Sequence, residues 1–187
     1  MWRLLLIISI LPITAALLVR WWFGLRVLAA IGKRPCQVDL TRWELALGAS
    51  PQARSDARAP ASEFGRQLRL AALAQWQLRE PKLAASREAS RRFGLAVPPL
   101  SAMVAVFAAI LAKIPVSGAI ILFLAATALA TVLGLLSLGA ELRAIASTAR
   151  ALRQSRAFIR SDDEDAVVHS AIASAWCETI PPVLRLL

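Results

Sequence analysis

Few side chains in this sequence could do chemistry. His169 is the single imidazole, and Cys36 and Cys177 are the two thiols. A metal centre needs several His, Cys or carboxylate ligands brought together. One imidazole on a stretch of small and apolar residues reads instead as a packed or interfacial histidine. A serine nucleophile would need that same His169 as its base, and no G-x-S-x-G turn is present. No glycine-rich phosphate loop occurs either. The cysteines are isolated and lack C-x-x-C spacing, so neither a disulfide nor a cysteine metal site is expected. From the residues alone no enzyme is visible and no cofactor is called for.

The elements that would position these groups are dominated by residues 95–140. Leu95 to Ala112 and Val116 to Ala140 are apolar arms separated by Lys113-Ile114-Pro115, and Lys113 is the only charge between Leu95 and Ala140. Each arm has about the 20 apolar residues that a hydrocarbon core of about 30 Å requires, so the pair reads as a transmembrane helical hairpin. Hydrophobic residues make up 58 % of the chain, against about 45–50 % for a soluble domain. The excess sits in blocks, as membrane spans require. The net charge of +10 is also unevenly placed, with 14 Lys/Arg against 6 Asp/Glu between Arg20 and Arg92. Lys and Arg favour the cytoplasmic side of a bilayer. Residues 20–94 and 141–165 are therefore expected in the cytoplasm, with Lys113 and the N-terminus outside. No recognition motif accompanies the charge, which argues against a nucleic-acid partner and for anionic lipid.

Read in order, Trp2 to Val19 is an apolar run ending at Arg20-Trp21-Trp22. Its basic flank lies after the run and no small-x-small cleavage site precedes Arg20, so an uncleaved first span is favoured over a signal peptide. Trp21 and Trp22 read as an interfacial membrane anchor. A short helix ending at Gly32 follows, then weak alternation over residues 36–40 that suggests an edge strand. Residues 48–61 are small, polar and proline-containing, the composition of a flexible linker. Ser62 to Glu80 is an amphipathic helix with Ser62 as N-cap. Phe64, Leu68, Ala71, Ala72 and Trp76 share one face, and Arg66, Arg69 and Arg79 the other. Lys82 to Phe93 reads as a second basic helix ending at Gly94. In the hairpin's second arm, Ala126, Ala130 and Gly134 recur every four residues, a spacing that allows close helix packing. Glu141 to Ile159 suggests a basic helix, and Ser161 to Glu164 a capping box opening the last helix. Whether residues 166–187 form a fourth span stays open.

Order and spacing over residues 20–187 resemble the bacterial membrane-bound neutral zinc metallopeptidases of the YugP-like type. Leu25 to Gly32 is similar to that family's short helix after the first span, and Val38-Asp39-Leu40 to the strand that follows. At the place of the family's His-Glu-Ala-Gly-His zinc helix this chain has Ser62-Glu63-Phe64-Gly65-Arg66. Ala140-Glu141-Leu142-Arg143-Ala144 is similar to the segment whose Glu completes the zinc site. The resemblance implies a degenerate site: Ser62 is a poor ligand, Arg66 is a permanent cation that repels a dication, and Glu63 is vestigial. Ser62, Arg66 and Glu141 then mark former metal positions with no metal held. One structural expectation follows, that Arg66 fills the metal's place and pairs with Glu63 or Glu141. The alternative makes Glu63 a first-turn helix-dipole residue and Arg66 a solvated charge.

The expected fold is mainly α: three transmembrane helices, with a fourth left open, and a small cytoplasmic helical region. The segments are a first span at 1–23, a basic cytoplasmic region at 24–94 containing helix 62–80, a hairpin at 95–140, and a helix plus apolar segment at 141–187. The expected function is a non-catalytic, metallopeptidase-like protein of the bacterial inner membrane, a partner or regulatory subunit. Its partners would be membrane lipid and a membrane protein such as an active peptidase paralogue. The competing readings are a structural scaffold subunit unrelated to peptidases and a residual hydrolase using Glu63 and His169 with a borrowed metal.

Overall fold

The computed structural model describes residues 2–48, 57–111 and 114–185 and is mainly α-helical. Helix α1 (Trp2–Val19) passes through a wider π-helical turn (Arg20–Leu25) into α2 (Arg26–Ala30). Strand β1 (Pro35–Gln37), α3 (Leu40–Leu47), β2 (Arg58–Pro60), α4 (Ala61–Arg79), α5 (Pro81–Ile110), α6 (Val116–Ser155), α7 (Ser161–Thr179) and α8 (Pro182–Arg185) follow. Lys113 and linker residues 49–56 lie outside the described residues.

Three stretches are long and apolar enough to cross a membrane: Leu6–Ala30, Pro81–Ile110 and Val116–Ser155, of 25, 30 and 40 residues. At 1.5 Å per residue even the shortest reaches roughly 37 Å, beyond a hydrocarbon core of about 30 Å. Their outer faces are oily. Ile8, Leu11 and Leu18 on α1, Met103, Phe107 and Ile110 on α5, and Leu129 and Leu136 on α6 are all exposed. In water, contiguous apolar surface of this kind is a liability that lipid removes. The segment 166–187 contributes no further stretch of this kind among the described residues.

The helices run further than the sequence suggests. A stop at Gly94 is not made, since α5 continues through Gly94, Pro98 and Pro99. A proline ring crowds the carbonyl four residues earlier, and for Pro98 that residue is Gly94, which adds no side chain to the crowding. Glu141 does not open a separate helix, because nothing between Val116 and Ser155 forces a break in α6. The first helical run likewise extends past residue 23 to Ala30.

Contacts divide the chain into two units. The first comprises Met1–Arg20, Ser86–Leu138 and Glu178–Leu187. Its core joins Ile13 and Ala16 of α1, Ala128 of α6, Ile180, and Leu184 of α8, with Leu17, Leu124 and Leu135 packed around them. Thr127 and Thr131 are buried on α6. Their hydroxyls donate to the carbonyls of Phe123 and Thr127 at 2.8 and 2.7 Å, so neither hydroxyl is stranded among the apolar side chains. Gly134 is a point of close approach: a Cβ there would lie 2.6 Å from the Thr179 carbonyl oxygen.

The second unit comprises Trp21–Ala85 and Gly139–Cys177. Antiparallel β1 and β2 pair Pro35 with Pro60, Cys36 with Ala59 and Gln37 with Arg58, so a strand occupies the end of the expected linker. The α4 N-cap is Pro60, not Ser62. Its first N–H groups are satisfied from elsewhere in the chain, Ala61 donating to the Arg34 carbonyl at 2.8 Å and Ser62 to that of Gly32 at 2.9 Å. The capping box expected at Ser161 also gives way to longer-range partners: Glu164 accepts from Arg153 Nε at 2.6 Å, and Asp163 from the Gln37 N–H at 3.3 Å. Helix α6 ends in a left-handed turn at Arg156 (φ 52°), a position more often given to Gly or Asn.

The short helix α3 is absent from the sequence reading, although its N-cap is present in the sequence. Asp39 accepts from the backbone N–H of Thr41 at 3.1 Å and of Arg42 at 3.5 Å, and from the Thr41 hydroxyl. The Thr41 hydroxyl, foremost, and these N–H groups hold the Asp39 carboxyl below the usual carboxylate range against a smaller desolvation effect. A group depressed in the folded state stabilises fully above its unfolded pKa, and that contribution is lost as pH falls through the folded pKa. Asp39→Asn keeps a capping oxygen without the titration. Its thermal midpoint is expected below that of the parent at neutral pH, with the gap closing on acidification. A gap that stays constant with pH would contradict this role.

Candidate functional site

The most unusual side-chain arrangement in the second unit is a buried ion pair. Arg69 Nε of α4 lies 2.6 Å from Glu141 Oε1 of α6, with side-chain exposures of 8 % and 1 %. Burying two charges costs more than burying apolar groups unless the geometry is close and further hydrogen bonds help. A contact this short, from a guanidinium whose fork suits a carboxylate, meets the first condition.

The elements that bring the pair together follow from helical spacing. On α4, Gly65, Arg69, Ala72 and Trp76 recur at i, i+4, i+7 and i+11 and are all buried, beside Phe64, Leu68 and Ala71. Phe64 packs edge-on to Trp43 of α3 at 5.3 Å, and Trp43 meets Phe158 at 5.5 Å. Gly65 lets α4 press against α7, since a Cβ would come within 2.8 Å of the Ala171 nitrogen and the Ser170 Cβ. With α4 so fixed, Arg69 faces α6 at the level of Glu141. One turn further along the same two helices, a recess of about 320 Å³ is lined by Ala72, Gln75, Trp76, Ala140, Ala144 and Thr148 among others. Neither Arg69 nor Glu141 lines it.

The residues singled out from sequence are placed as follows. Glu141 is buried, Glu63 is half-buried in the first turn of α4, and Ser62 and Arg66 are exposed. The guanidinium on Glu141 therefore comes from Arg69, one turn beyond Arg66. The reason is register: Arg69 lies on the Gly65–Trp76 stripe, while Arg66 falls outside it. His169 is exposed on α7. Among the described residues no three His, Cys, Asp or Glu side chains come together as a metal-binding group. The residues present do not fit a zinc ion at Glu141, where a permanent cation already holds the carboxylate.

Trp21 and Trp22 are exposed, 6.0 Å apart between ring centroids, and the Arg26 guanidinium sits 4.5 Å over the Trp22 ring. Ala126 is half-buried, and Ala130 and Gly134 are buried within the first unit, where Gly134 meets Thr179. Cys36 and Cys177 are free thiols. Burial, then the Asp163 carboxylate, pushes the Cys36 thiol up, against a smaller opposing effect of Arg34, the direction that disfavours a thiolate.

Sequence reasoning missed Arg69 because it assigned every arginine of α4 to the solvent face. The signal available was its spacing from Gly65 and Trp76. No protein-family model, curated protein or solved structure matches this chain.

Proposed function

We propose that this chain is a non-catalytic, multi-span subunit of a bacterial inner-membrane assembly, acting as a helical scaffold. Its N-terminus lies outside, with residues 20–94 and 141–165 in the cytoplasm. The observation that carries the reading is the Arg69–Glu141 pair. Glu141, the buried one of the two carboxylates that the metallopeptidase resemblance singles out, joins α4 to α6. A general base or metal ligand needs an open lone pair facing a substrate or ion, whereas this carboxylate faces a guanidinium. A second reading keeps the metallopeptidase likeness, the chain being a regulatory partner of an active peptidase paralogue. In its favour, the helix that would bear the zinc motif does pack against the segment bearing Glu141.

Both readings are tested by zinc titration of the detergent-purified full chain, with metal content read by mass spectrometry and Glu141→Gln alongside. No stoichiometric zinc is expected in either protein. One zinc per parent chain, lost in Glu141→Gln, would overturn the proposal and return the chain to the enzymes. Cross-linking from α4 to a co-expressed metallopeptidase paralogue would favour the second reading over the first.

A further inference from the structure

A recess in the first unit has a composition that the scaffold reading does not use. It measures about 390 Å³ and is lined by Arg87, Arg91 and Arg92 of α5, Gly134 of α6, and Arg185 of α8, with Glu88, Glu178, Leu95 and Ile180 also on its wall. Four guanidiniums against two carboxylates leave it cationic. The volume falls in the range of small-ligand sites, about 300–1,000 Å³.

The arginines divide into two kinds. Arg87 is 9 % exposed and structural. It donates to Ser137 Oγ at 2.8 Å and to Thr179 Oγ1 at 3.2 Å, tying α5 to α6 and to the end of α7. Arg185 closes the Pro181-Pro182 turn by donating to the carbonyls of Ile180 at 3.0 Å and Glu178 at 2.6 Å. Arg91 and Arg92 are different. Their side chains are 66 % and 78 % exposed and they share one carboxylate, Glu88, at 3.9 and 3.0 Å. Surface pairs of this kind hold weakly, so both guanidiniums can be redirected to a ligand oxygen.

Position then selects the ligand. Arg91 and Arg92 stand within one turn of Leu95, where the apolar run of α5 begins. Leu95 and Leu100 are 61 % and 56 % exposed. An amphiphile with its anionic group among the arginines has an apolar track beside it for a chain, which a free inorganic anion would leave unused. Basic recesses between membrane helices at headgroup depth suit anionic lipid headgroups, and a guanidinium fork matches phosphate oxygens.

We propose that this recess binds the phosphate headgroup of an anionic glycerophospholipid, with Arg91 and Arg92 as its ligands over a floor fixed by Arg87. The inference is independent of whether Glu141 ever holds a metal, so the zinc experiment and this one fail separately.

The test uses the full chain in phosphatidylcholine nanodiscs with and without phosphatidylglycerol, and reads retained lipid by native mass spectrometry after extraction. The parent is expected to retain phosphatidylglycerol in preference to phosphatidylcholine. Each guanidinium removed by Arg91→Ala or Arg92→Ala should lower that retention by about fivefold. Glu88→Gln, which frees both arginines, should raise it and provides a readout should the alanine variants fold poorly. Arg66→Ala, an exposed arginine on α4, should leave it unchanged. Equal loss in Arg66→Ala would overturn the site in favour of diffuse charge attraction. Displacement by soluble glycerol phosphate at concentrations matching the lipid would overturn the lipid as its occupant, and an absent preference for phosphatidylglycerol would overturn both.

Discussion

Glu141→Ala is expected to cost about 3–5 kcal/mol of stability, the range for a buried ion pair that loses one partner. The loss comes chiefly from what stays behind. Arg69 cannot deprotonate, and with a side chain 8 % exposed it has little access to water from its native position. Arg69→Ala should cost similarly, because it removes the guanidinium that faces the buried Glu141 carboxylate. The informative variant is the double replacement Arg69→Met/Glu141→Leu, which removes both charges and keeps apolar volume. It should recover most of either single loss, because buried pairs are often neutral against well-packed apolar replacements. Denaturant unfolding in detergent, followed by tryptophan fluorescence and analysed as a double-mutant cycle, measures the coupling directly. A double variant no more stable than the singles would show that the two side chains do not act as a pair.

Trp43→Ala is expected to cost about 3–5 kcal/mol, as large aromatic truncations in packed interiors do. Trp43 is 1 % exposed and is wedged between Phe64 of α4 and Phe158 beyond α6, meeting both edge-on. Part of the cost is transfer of the indole, part is the cavity, and part is the loss of two favourable aromatic geometries. Trp43→Phe should retain more than half of the stability because it fills most of the volume. Thermal unfolding of the two variants beside the parent checks this. If Trp43→Ala unfolded within a few degrees of the parent, α3 would be peripheral, not the wedge between α4 and Phe158.

The legible parts of this fold are those in which hydropathy has a long, uninterrupted period. The apolar runs of α1, α5 and α6 and the stripe Phe64, Leu68, Ala71, Ala72 and Trp76 on α4 can be read directly, since each is a sum over many residues. What escaped reading depends on single residues with distant partners. Asp39 signals the start of α3, yet that helix matters only because Trp43 finds Phe64 and Phe158 from other parts of the chain. Ser62 has the right chemistry for an N-cap, but the turn before β1 delivers the Gly32 and Arg34 carbonyls to the first N–H groups of α4. Arg69 carries a charge that puts it on a solvent face by type, while Gly65 and Trp76 put it on the buried face by position. Arg87 is hidden in the same way, in a stretch that reads as uniformly basic. The candidate site was half visible: Glu141 could be picked out through the resemblance, but its partner could not, because which arginine reaches it is settled by register on a helix that Gly65 lets come close to α7.

That closeness also explains why the last part of the chain resists a hydropathy reading. From Ala166 to Ala175 the buried positions of α7 are Ala166, Val167, Ser170, Ala171, Ala173 and Ala175, hardly a side chain larger than a hydroxymethyl. Gly65 leans on its middle and Gly134 on its last residue. A helix pressed from such short range answers to girth: its residues must be slender, and whether they are greasy or polar matters less. A profile that scores only greasiness has nothing to register there, and a slender buried face passes for an ambiguous one.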